Sequence, residues 1–238
     1  MPTLNSLTSD ESQATKTQRL GANMHKLTRP TAPACLSQYQ HGRDSWGDLI
    51  ENGHVGEIWL KLDEMQQQRC AYCECAIKTD KDNSNSHIEH FRQRRSSSHP
   101  QGTFLWSNLF GSCNRQDSCG KHKDELPAYN HQDLIKMDVE DPEHFLEILP
   151  DGNVIPVNGL SQAERHRAEE TIRIFNLNGS LRQMRETAIK GYIQTAEELA
   201  GYAEEFDEAD WLPLLQEELD RIKDLPFTTA IKHTLLPA

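Results

Sequence analysis

The residues of this chain that could do chemistry crowd between Cys70 and Lys123. Cys70 and Cys73 form a CxxC pair, and Cys113 and Cys119 form a second pair. Two thiolate pairs can close a tetrahedral zinc site, because zinc favours four nitrogen or sulfur ligands and tolerates short knuckle turns. The second spacing is wider than the usual gap of about two to four residues. A redox CxxC is the rival reading, but no βαβ context follows the motif. Cys75 could replace Cys73 as a ligand, and Cys35 reads as a small buried residue.

Inside this frame lies His87-Ile88-Glu89-His90-Phe91. A carboxylate beside a histidine suits metal-assisted phosphodiester hydrolysis. The carboxylate can hold a hard divalent cation through oxygen, and a neutral imidazole can take a proton from attacking water. If the segment is a strand, Ile88 and His90 face one way and Glu89 and Phe91 the other. Bringing Glu89 and His90 to one metal then calls for a local twist or bulge. His87 is a rival base, and the bland reading of the Glu-His step is a surface polar pair. Arg92, Arg94 and Arg95 follow directly and suit phosphate oxygens. Their bland reading is a solvated basic loop, since three serines come next. His99 reads as a loop residue. Asn108 and His122 complete the set of polar candidates.

The elements that must hold these residues are partly legible. Residues 1–23 lack apolar periodicity and are expected to be disordered, with Met24 a candidate natural start. Residues 24–69 open on a Pro-punctuated extended stretch. From about Ser45 to Gln68, apolar residues recur at helical steps, and Gly53 and Gly56 divide them into two helices. Residues 70–130 carry few periodic apolar residues, so a metal staple would help them hold a shape. In residues 131–238, HFLEILPDGNVIPV predicts a hairpin turning at Asp151-Gly152. Ser161 and Glu164 predict a capping box opening a helix to about Phe175. A further helix is expected from Ser180 to about Tyr202, and a last one after Pro213.

The 238 residues are 36% hydrophobic and 26% charged, enough for a hydrophobic core in a soluble protein. No apolar run is long enough to span a bilayer, and the N-terminus has no secretory h-region, so the cytoplasm is the expected compartment. The net charge of -12 argues against a chain that grips nucleic acid unaided. The distribution qualifies that. His87 to Lys123 is locally basic, whereas Ala196 to Asp220 holds only acidic charge, either a solvated helix face or a partner surface.

The order CxxC, Glu-His, Asn, Cys, Cys, His resembles the HNH endonuclease family, including its zinc-stapled branch. The resemblance implies an α+β fold in which a zinc-stapled ββα-metal core is embedded in flanking α-helices with a C-terminal β-hairpin. It implies His90 as general base and Glu89 and His122 at metal positions. It aligns Asn108 with the central Asn, which in the family either braces the loop or contacts the metal. Glu89 stands where Asp is commoner, and His122 where many members carry Asn; both remain metal-competent. Over a longer span the resemblance narrows to the PtuB-like subfamily of Septu and some retron anti-phage systems. It rests on RPTAP at 29–33, CAYCE at 70–74, HIEHF at 87–91, TFLWSNLFGSC at 103–113, CGKHK at 119–123 and IFNLN at 174–178, then Leu181 and Arg185.

That resemblance implies an effector nuclease held in check until infection. Its partners would be a PtuA-like ABC/SMC-like ATPase and, in retrons, a reverse transcriptase with its msDNA. Its cofactors would be structural Zn2+ and catalytic Mg2+ or Mn2+. DNA is the favoured substrate, with RNA or tRNA open. A non-catalytic zinc-stapled adaptor that binds nucleic acid or the ATPase is the alternative.

Overall fold

The helical periodicity between Ser45 and Gln68 resolves into α1 (Trp46–Glu51) and α2 (Val55–Gln66) in the computed structural model, which describes residues 26–80, 83–95 and 97–236. The expectation of disorder over 1–23 lies outside the described residues. Ser45 and Asp48 form a capping box at the start of α1. Gly53 takes a positive φ of 76° and lets the chain turn into α2.

The strand pattern at His87–Phe91 is realised as β1 (Ser86–His90), paired antiparallel with β2 (Leu109–Cys113). The register is unbroken, with Ser86 opposite Cys113, Glu89 opposite Phe110 and His90 opposite Leu109. All of β2 is buried. Gln66 at the end of α2 holds its middle: the side-chain amide donates to the Gly111 carbonyl at 2.8 Å and accepts from the Gly111 N–H at 2.7 Å. A Cβ on Gly111 would stand 2.8 Å from the Trp59 ring, so α2 and β2 approach this closely only over glycine. After β2 comes α3 (Cys119–Glu125), which packs against β2.

The expected hairpin is β3 (Leu146–Ile148) with β4 (Val154–Pro156), and Gly152 in its turn has a φ of 82°. The capping box of Ser161 and Glu164 opens α4 (Gln162–Ile174), as its spacing predicts. The single helix expected from Ser180 to Tyr202 is instead α5 (Leu181–Lys190) and α6 (Ile193–Glu205). The break falls at Gly191, between two halves that feed different hydrophobic cores. α5 buries Leu181, Arg185 and Ile189 against the main core, while Leu199 of α6 joins a second one.

The last helix was expected to follow Pro213. Pro213 instead lies inside α7 (Glu208–Ile222), and α8 (Thr228–Leu235) comes after it. The turns before Pro213 are largely exposed, and the buried residues Leu215, Leu219 and Ile222 all follow it. The anchored part of the helix therefore begins where proline no longer interrupts the hydrogen-bond ladder.

One hydrophobic core runs from Cys35 to Ala230, so 24–69, 70–130 and much of 131–238 are built around a shared interior. The smaller second core joins Leu199, Leu215, Leu219, Ile222, Ile231 and Leu235 of α6, α7 and α8. The extended N-terminal stretch is tied across the back of β2. Arg29 pairs with Asp138 at 2.5 Å, donates to the Trp106 carbonyl at 2.7 Å and lies over the Phe110 ring. Among the described residues no helix is long and apolar enough to cross a membrane.

Candidate metal centre and active site

The two cysteine pairs converge. The sulfurs of Cys70, Cys73, Cys113 and Cys119 all lie within 4.8 Å of one another, and all four residues are buried. A zinc–sulfur distance of about 2.3 Å in a tetrahedron places sulfurs about 3.8 Å apart, so the arrangement fits zinc. Local backbone makes the knuckle. The Cys70 N–H donates to the Cys75 carbonyl, the Glu74 N–H to the Cys70 carbonyl, and Glu74 takes a φ of 60°. The Ala71 N–H donates to Gly111, seating the knuckle on β2. Cys113 ends β2 and Cys119 starts α3, where a φ of 53° and a bond from its N–H to Phe175 turn it inward.

Four thiolates around zinc carry net negative charge, and the electrostatics match it. Arg185 is buried, and its guanidinium donates to the carbonyls of Gly152 and Leu177. Burial pushes its pKa down, while Cys73 and Cys119 act to hold it charged. Hydrogen bonding with Cys119 brings the Cys113 thiol down to about 5. The redox reading fares poorly here. Every cysteine is buried, and Cys73 lies 4.0 Å from Cys113, so the CxxC pair is turned to the other pair rather than to solvent. Cys75 is buried beside the cluster but is not one of the four converging sulfurs.

Glu89 projects from β1 towards α3 and is almost fully buried. Its Oε1 is 2.5 Å from Nζ of Lys123, and its Oε2 is 3.3 Å from Nε2 of His87. Burial opposes ionisation of Glu89. The Lys123 charge and the His87 contact outweigh it and hold the carboxyl below its usual range. Lys123 is itself buried; its ammonium also donates to the His90 carbonyl at 2.9 Å and reaches Asp124. Gly120 faces this carboxylate: a Cβ there would stand 2.7 Å from Cδ of Glu89 and 2.9 Å from Nε2 of His87.

His90 projects to the other side. Its Nε2 is 3.0 Å from the Thr103 carbonyl, and its ring meets Trp46 edge-on at 4.8 Å. A carbonyl can only accept, so Nε2 carries the proton and Nδ1 keeps the lone pair. Burial pushes the His90 pKa down to about 4. No bulge interrupts β1, so Glu89 and His90 stay on opposite faces of the strand, although His87, Ile88, Glu89 and His90 all border one open cleft. Trp46, Trp59, Arg94, Arg95, Lys121 and Asp124 complete much of its wall.

The remaining sequence candidates divide. The Asn108 side chain accepts from the Arg92 N–H at 2.8 Å and donates to the carbonyls of Arg92 and Gly102. Its amide is spent on bracing the loop between β1 and β2. Arg94 and Arg95 line the cleft, and Arg94 also lies over the Trp46 ring; Arg92 contributes its backbone to Asn108 instead. His122 is not brought to Glu89. Gly120 and Lys123 share the face of α3 that meets Glu89. His122 lies off that face and bonds through Nδ1 to the Ile174 carbonyl at the end of α4. Among the described residues, the four cysteines are the one group of three or more potential ligands that converges. Sequence reasoning missed Lys123 and Gly120. Nothing local marks either; a Lys inside CGKHK reads as surface charge until α3 is packed on β2.

No family model matches this chain. It is 26% identical over 190 residues to the Septu protein PtuB of Bacillus thuringiensis, an alignment covering 77% of this chain and 67% of that protein.

Proposed function

We propose, from the premise that the chain is PtuB-like, that it is a metal-dependent endonuclease of the HNH type acting as the effector of an anti-phage Septu assembly. The observation that carries the reading is the pairing of an uncharged, oriented His90 with an ionised Glu89 along one basic-rimmed cleft. His90 is held by Thr103 with its Nδ1 lone pair available, so it can take a proton from water attacking a phosphodiester. Lys123 fixes the orientation of Glu89 and grips the backbone of His90, coupling the two residues. Arg94, Arg95 and Lys121 stand where they can meet the charged backbone of a nucleic acid. A divalent cation held at Glu89 would neutralise charge building up on the phosphate. The buried cysteine cluster serves as the zinc staple that fixes β2 and α3 around the site.

DNA is the favoured substrate, with RNA, including tRNA, open to the same chemistry. The partner is a PtuA-type ATPase, and in a retron setting also a reverse transcriptase with its msDNA. The second reading is a zinc-stapled adaptor without catalysis. It draws on the Lys123 ammonium, which already occupies one oxygen of Glu89.

The test is incubation of the purified chain with plasmid DNA and with total tRNA, in Mg2+ or Mn2+, with and without the ATPase. Cleavage by the wild type and none by His90→Ala supports the nuclease and names its substrate. Cleavage by neither protein in any condition favours the adaptor.

A further inference from the structure

The family pattern gives the second metal position to His122, but the geometry points elsewhere. We infer that the cation seat of this chain is formed by Nε2 of His87 and Oε2 of Glu89 above Gly120. The inference rests on the nuclease reading and reassigns one of its ligands.

Three observations carry it. The first is the hydrogen-bond polarity of His87. Asn114 donates from its Nδ2 to the Ser86 carbonyl at 3.0 Å, which turns its Oδ1 towards Nδ1 of His87, also at 3.0 Å. Nδ1 therefore carries a proton, and Nε2 is the nitrogen aimed at Glu89. An imidazole fixed in this way by an outer hydrogen bond is the usual arrangement of a metal-binding histidine. The second is distance. Nε2 of His87 and Oε2 of Glu89 stand 3.3 Å apart, close enough for both to hold one small cation. Neighbouring ligands on an octahedral Mg2+ or Mn2+ stand about 3.0 Å apart, close to this separation. The third is room. The face of α3 opposite these atoms is Gly120, and any side chain there would press on both Glu89 and His87.

Lys123 completes the division of labour. It holds Oε1 of Glu89 and leaves Oε2 to the seat. Two protein ligands are sufficient for such a cation, which keeps several waters and takes further oxygens from a substrate phosphate. His122, bonded to Ile174 at the far side of α3, orients that helix on α4.

Mn2+ binding by the zinc-loaded full chain, read by electron paramagnetic resonance, tests the seat without reference to cleavage. Zinc content and circular dichroism of each variant establish that it is folded. His87→Ala is expected to weaken Mn2+ binding at least about tenfold, and Gly120→Ala, which fills the space without removing a ligand, to weaken it as well. His122→Ala is expected to bind Mn2+ as the wild type does. Loss of binding in His122→Ala with retention in His87→Ala overturns the inference, as does a wild-type chain that binds no Mn2+. Binding that depends on His87, with no cleavage of any nucleic acid, removes the nuclease reading and leaves the seat standing. Cleavage that depends on His90, with Mn2+ binding indifferent to His87, removes the seat alone.

Discussion

His90 and Glu89 are adjacent, buried and oppositely biased. Burial keeps the imidazole uncharged, whereas Lys123 keeps the carboxyl charged. For His90 the bias has a thermodynamic consequence. Its pKa is about 4 in the folded chain and about 6.5 in an unfolded one. Between these values the unfolded state binds the extra proton, so folding stability falls as pH drops through that window. For this group alone the loss approaches about 3 kcal/mol by pH 4. Urea denaturation at pH 7 and pH 4.5 is expected to show a larger acid loss for wild type than for His90→Gln, by about 2 kcal/mol. Equal losses would mean that His90 is not held uncharged by burial. At neutral pH the same bias leaves its lone pair available to a substrate proton.

The elements around the site are short, and sulfur joins them. β2 ends at Cys113, α3 begins at Cys119, and the knuckle at Cys70 to Cys75 rests on Gly111 in the middle of β2. α8 is bound to the same knuckle, since the Thr229 N–H and hydroxyl both donate to Glu74 and the Phe227 N–H donates to its carbonyl. Loss of the staple should therefore be felt well beyond the site. Cys113→Ser is expected to lower bound zinc, measured by elemental analysis, from one ion per chain to well below that. It is also expected to broaden or abolish the cooperative thermal transition. Zinc binding contributes on the order of 10 kcal/mol to folding in small zinc-stapled domains, more than the stability margin of an ordinary domain. Full zinc content in that variant would assign the fourth ligand to another residue, with buried Cys75 the nearest claimant.

Across the whole molecule, charge is sorted. The cleft gathers Arg94, Arg95 and Lys121, while 204–210 at the junction of α6 and α7 is exposed and carries five carboxylates beside exposed Phe206. A chain with a net charge of -12 would, on the proposed nuclease reading, gain from a partner that supplies basic surface. Replacing Glu204, Glu205, Asp207, Glu208 and Asp210 with their amides is expected to weaken assembly with the proposed PtuA-type partner and flatten its salt dependence, read by size-exclusion chromatography or calorimetry. Zinc content should not change. Unaltered assembly would reduce this surface to a solvated helix face.

The sequence by itself determined those features that depend on neighbours in the chain. The CxxC spacing, the capping box at Ser161, the Asp151-Gly152 turn and the two helices between Ser45 and Gln68 all follow from local geometry, and each is present. The Glu-His step stood out as a candidate, since residue type alone limits what can hold a cation or take a proton. Tertiary structure decided which face each residue meets. Helix period places Gly120 and Lys123 on Glu89 only once α3 lies against β2, and the same packing sends His122 to Ile174. The division of the long helix at Gly191 likewise reflects two cores competing for its halves. The balance at Glu89 was invisible beforehand, because Lys123 lies far from Glu89 in the chain and its charge acts on the carboxylate only across a packed, water-poor interior.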